Sequence, residues 1–142
     1  MSNTGKTTYS SLRIFSDSDD PREIDDLLAI KRTRWTPKDS GAARANEKLI
    51  GKLRSIWSWE SSTPPSSPPD EHVAVIVAKL EERREELAQV IARTWQADIV
   101  LSYGSDNGQG GVTLRPHLIS RLARLSVGFS MDVALWEEDT DE

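Results

Sequence analysis

Two apolar periods interleave along this chain, one of two residues and one near three and a half, and their order limits it to a sheet packed against helices. Tyr9 to Phe15 alternates around Leu12 and Ile14 and reads as a half-buried strand. Val127 to Trp136 alternates through Val127, Phe129, Met131, Val133 and Leu135, a strand with one face buried. Ile56 to Glu60 is a third strand, with Trp57 and Trp59 on the same face because side chains repeat every two positions. Asp98 to Tyr103 is a fourth, Thr33 to Thr36 a short fifth ended by Pro37, and Val112 to Leu114 pairs briefly.

Helical spacing fills the gaps between these strands. One helix follows Pro21 through about Ile30, burying Ile24, Leu27, Leu28 and Ile30. Asp20 and Glu23 form a capping box around a proline at the first helical position, where its missing N–H costs nothing. A long helix runs from about Pro68 to Thr94 with Val73, Ile76, Val77, Leu80, Leu87, Val90 and Ile91 inward, and Ser67 with Asp70 capping its start. Its opposite face, charged through 81–86, reads as solvated. A third helix spans Pro116 to Leu125, and Pro116, Ile119, Leu122 and Leu125 echo Pro21, Ile24, Leu27 and Ile30 at a distance of 95 positions.

Strand, helix, short strand, strand, long helix, strand, helix, strand is the order of an α+β domain. It predicts a mainly antiparallel sheet with helices on one face, a ferredoxin-like β-α-β-β-α-β unit with an appended helix and strand. A chain of 142 residues supports one ordinary core. Residues 1–7 read as a disordered N-terminus, 8–136 as a single domain with a proline- and serine-rich connector at 61–69, and 137–142 as an acidic tail. No apolar run approaches the roughly 20 residues needed to cross a bilayer, and the polar start lacks a secretory signal, so the expected location is the cytoplasm.

The run Tyr9-Ser-Ser-Leu12-Arg-Ile14, then Asp20-Pro21-Arg-Glu-Ile24 with Leu27-Leu28, then Trp57-Ser58, the long charged helix, and Gly110-Gly111 to Leu114 with Pro116 resemble a bacterial domain of unknown function, family 4279. The resemblance covers roughly Thr8 to Trp136, and residues 42–53 depart from it as a local insertion would. It implies a small intracellular bacterial domain without an established activity, so it transfers no functional residues.

Chemistry is sparser than architecture. The absence of cysteine removes disulfides, thiol nucleophiles and thiolate zinc sites. Gly5-Lys6-Thr7 fails as a phosphate loop because the first glycine of that motif would precede the chain. The glycines of 104–111 fit neither dinucleotide nor P-loop spacing and read as a flexible connector. The acids at Asp17, Asp19, Asp20, Glu23, Asp25 and Asp26 lack the ligand ladder of a calcium loop, so turn and cap roles explain them. His72 and His117 have no neighbouring partner that would mark a nucleophile and base. No catalytic residue, metal ligand or cofactor is assigned.

Charge gives the strongest functional lead. From Lys31 to Arg54 eight bases face two acids, a net +6 that leaves −11 for the rest of a chain of net −5. Arg32, Arg34, Trp35, Lys38, Arg44, Lys48, Lys52 and Arg54 are the candidate partner-binding residues, combining cations with aromatic area. The expected function is a non-catalytic protein-binding or interaction module, of immunity or inhibitor type in its most specific form, whose partner is an acidic protein. One alternative is a nucleic-acid-binding domain using the same segment. Another is a small-molecule-binding domain or enzyme with a site assembled across the sheet.

Overall fold

The computed structural model describes residues 6–38, 40–41, 54–105 and 112–135. Five strands form one sheet: β1 (Lys6–Ser16), β2 (Arg34–Thr36), β3 (Ser55–Glu60), β4 (Gln96–Ser105) and β5 (Gly128–Leu135). Their order across the sheet is β2-β3-β1-β4-β5. The β2/β3, β3/β1 and β1/β4 pairs are antiparallel, and β5 joins β4 in parallel. Four helices among the described residues pack with it: α1 (Pro21–Leu28), α2 (Pro69–Glu82), α3 (Arg84–Ala92) and α4 (Pro116–Arg124). The architecture is a mixed α+β fold, and no helix among the described residues is long and apolar enough to cross a membrane.

One face of the sheet carries the core. Leu12 lies between Trp59 and Ile99, and Ile14 between Trp57 and Ala97, so register alone brings these apolar side chains together. Ile24 and Leu28 of α1, Val73 to Leu80 of α2, Leu87 and Val90 of α3, and Leu118 beside Leu125 close over them in one cluster. Every described helix therefore covers the same face. The fully buried Trp57 donates its indole N–H to Asp25 Oδ1 at 2.7 Å, which satisfies the one polar atom of a large buried ring.

Several local expectations change. β1 begins at Lys6, ahead of the domain boundary expected at residue 8. Asp20 caps α1 by accepting from the Arg22 N–H, but the Glu23 carboxylate pairs with Arg93 at 3.5 Å, so only half of the capping box forms. The start of α2 has no side-chain cap, and Asp70 pairs with Arg115 instead. The long helix is two helices broken at Arg83, whose φ of −120° leaves the helical region. Arg83 donates to the Leu28 carbonyl at 3.0 Å, and no apolar residue between Leu80 and Leu87 holds a continuous stripe on the core. Residues 112–115 form no strand, although Val112 and Leu114 pack on the core. The connector at 61–69 is tacked to β1, with Ser61 N–H donating to Ser10 O and Thr8 N–H to Pro65 O, each at 3.0 Å.

Candidate binding cleft

The acids and bases that stand next to each other in the sequence meet in space. Arg32 pairs with Asp25, which also accepts from Trp57. Lys38 lies 3.5 Å from Asp19 and donates to the Asp17 carbonyl. Arg54 is only 3% exposed, donates to the carbonyls of Phe15 and Thr94, and lies 3.9 Å from Asp17. Its guanidinium ties β1 to the start of β4, which removes it from any exposed basic surface. Trp35 is half-buried against the core. Arg34, on β2, is exposed and forms no ion pair with a described residue. Arg44, Lys48 and Lys52 lie outside the described residues, as do residues 106–111 and the acidic tail at 137–142.

A cleft that the sequence did not single out lies where the open face of the sheet meets the end of α3. Its volume is about 490 Å³, and its walls include Phe15, Ile91, Trp95, Ser126 and Ser130. Its floor is an ion pair between directly opposed residues of β1 and β4, with Arg13 Nε and Nη2 donating to the two carboxylate oxygens of Asp98 at 2.9 and 2.7 Å. The Arg13 guanidinium also lies over the Phe15 ring, 4.9 Å from its centroid, and Arg93 lies over Trp95 at 5.1 Å. Ser130 donates to Asp98 at 3.3 Å. Gly128, paired with Asp98 across β4 and β5, keeps the space beside the carboxylate open, since a Cβ there would come within 3.4 Å of the Asp98 Cβ.

The polar groups on the cleft floor are paired with one another. Both Asp98 oxygens accept from the Arg13 guanidinium, and the Ser130 hydroxyl donates to one of them. No histidine lines the cleft. Elsewhere, His72 is fully buried, and burial holds its imidazole below the usual histidine range while the nearby Pro64 and Ser67 carbonyls and the Glu71 charge oppose that shift. Among the described residues no group of three or more histidine, aspartate or glutamate side chains is placed to hold a metal ion. An ion pair whose side chains are 24% and 16% exposed, beside the half-buried Trp95, is equipped to accept an aromatic or amide-bearing group by stacking and hydrogen bonding.

The floor, the β1 run from Tyr9 to Ile14 and the Trp57-Ser58 step all fall within residues 6–136, which match the family described as Domain of unknown function (DUF4279). The chain belongs to the DUF4279 family. Neither a curated protein nor a solved structure matches it. Within this DUF4279 domain the cleft residues are spread over positions 13–130, so only the fold assembles them. The one signal legible beforehand was Arg13 and Asp98, charged residues on the polar phase of alternating strands, where cross-strand pairing across 85 positions was not readable.

Proposed function

We propose that this DUF4279 domain is a non-catalytic interaction module that receives an acidic, aromatic-bearing segment of a partner protein in the Arg13–Asp98 cleft. The observation that carries this reading is the floor itself: a bidentate ion pair left partly open to solvent between Phe15 and Trp95. Side-chain exposure of 24% for Arg13 and 16% for Asp98 leaves polar edges that an incoming group can reach. Arg84 and Arg124, near the adjoining helix ends and in no ion pair with a described residue, favour a partner of negative charge. The Lys31 to Arg54 segment supports the reading less, because Arg32, Lys38 and Arg54 already have acidic partners within the fold. An immunity or inhibitor role is the specific form of this proposal, with the cleft as the neutralising surface.

The test is affinity capture from the source lysate with the wild-type chain and with Ser130→Trp, which fills the cleft from an exposed position. A stoichiometric partner held by the wild type and lost by the variant supports the reading. A partner retained equally by both sinks it. A small organic ligand is the second reading, favoured by volume, since about 490 Å³ falls within the usual range of ligand pockets. It predicts a compound that raises the melting temperature of the wild type and leaves that of Ser130→Trp unmoved.

A further inference from the structure

β5 is an edge strand, and among the described residues no strand pairs with its outer side. Its helix-side residues lose cover along its length: Phe129 is half-buried, whereas Met131 and Val133 are 45% and 46% exposed. An alternating apolar edge with unpaired backbone groups is a template for another strand. Beside the start of β5 a second groove, about 230 Å³, adjoins the cleft and shares Ile91 and Ser126 with it. Leu87, Ala88 and Leu125 line it between Arg84 and Arg124, both exposed and neither in an ion pair with a described residue.

The sequence that follows β5 is Trp136-Glu137-Glu138-Asp139, an aromatic ring and then acids, which suits an aromatic-walled cleft next to two arginines that form no ion pair with a described residue. It leaves from the wrong end to serve its own copy. Leu135 pairs with Ser105, while the cleft lies by Gly128, and a strand of this length at about 3.3 Å per residue separates them by roughly 25 Å. An antiparallel neighbour reverses the geometry and brings the end of one β5 to the start of the other.

We propose that two copies of the chain pair antiparallel along β5, and that each lays Trp136 into the other's cleft and the following acids against its Arg84 and Arg124. This deepens the interaction reading and rests on it, since it names the occupant of the same cleft. A two-fold axis perpendicular to the sheet keeps both helix layers on one side and places like faces opposite each other. Centred on Met131, it sets Phe129 opposite Val133 and Ser130 opposite Asp132; centred on Asp132, it would bring two carboxylates face to face. The Met131 register brings Leu135, the end of one β5, opposite Val127 of the other, next to Ser126, the residue shared by cleft and groove.

Sedimentation velocity of the full chain over a concentration series tests this. The expected result is a dimer that Met131→Lys and Val133→Lys each convert to a monomer with an unchanged circular dichroism spectrum. Trp136→Ala is expected to weaken the dimer by about tenfold. Glu137→Arg is expected to do the same and to recover when combined with Arg124→Glu. A wild-type chain that stays monomeric into the millimolar range overturns the proposal, as does a dimer that Met131→Lys leaves intact. A dimer broken by Met131→Lys but indifferent to Trp136→Ala overturns the exchange of segments. A monomer whose partner capture still depends on Ser130 defeats the dimer alone and leaves the cleft reading standing.

Discussion

Ala29, Thr94 and Ser126 hold left-handed backbone at φ values of 54°, 62° and 58°, each just beyond the end of a helix where glycine is the usual occupant. Thr94 is the most strained, because a β-branched side chain crowds its own carbonyl there. Thr94→Gly is expected to stabilise the fold by about 1 kcal/mol, the relief of strain being partly offset by a freer unfolded chain. A urea midpoint raised at constant slope checks it. His72 gives a pH signature. Its ring nitrogens and the hydroxyls of Ser10 and Ser61 are buried without a well-formed hydrogen bond among the described residues. Burial favours the neutral imidazole, so the unfolded chain binds more protons between the lowered folded-state pKa and the ordinary value near 6.5. Stability is then full above that ordinary value and falls as pH drops through it, and His72→Leu flattens the fall; an equal slope in the variant would assign it elsewhere. None of this was legible in the sequence, because neither a left-handed φ nor a missing partner has a residue signature.

At the scale of elements, the sequence located almost every strand and helix but not how deeply each is buried. Alternation identified β5 correctly, yet Met131 and Val133 are exposed because an edge strand outruns the helices that cover its neighbours. The 95-residue echo marks two helices that each begin with proline, but Ile24 is fully buried and its counterpart Ile119 is 50% exposed, since α4 turns Leu118 and Leu125 to the core. The break at Arg83 was hidden because charged residues on either side fit one long helix equally well. Joints between elements rest on Arg54, which connects the end of β1 to the turn before β4. Arg54→Met keeps the stem and leaves two carbonyls without their donor, an expected loss of about 2 to 4 kcal/mol in urea unfolding. Arg54→Lys recovers only part of it, because one ammonium does not reproduce the planar fork; full recovery by lysine would contradict this account of the joint.

For the whole molecule, part of the charge polarity of the chain is used inside the fold. The acid block at 17–26 and the bases that follow it clasp each other through Asp25 with Arg32, Asp19 with Lys38, and Asp17 with Arg54. The cleft, by contrast, depends on residues far apart in the chain that only the sheet register brings together. Arg34→Glu is accordingly expected to shift stability by no more than about 0.5 kcal/mol and to leave partner capture unchanged. The most direct measurement of the central claim is hydrogen–deuterium exchange of the captured complex against the free chain. Slower exchange at residues 13–15, 95–98 and 126–130 is the predicted result. Protection confined to residues 31–38, with the cleft segments unaltered, would contradict it.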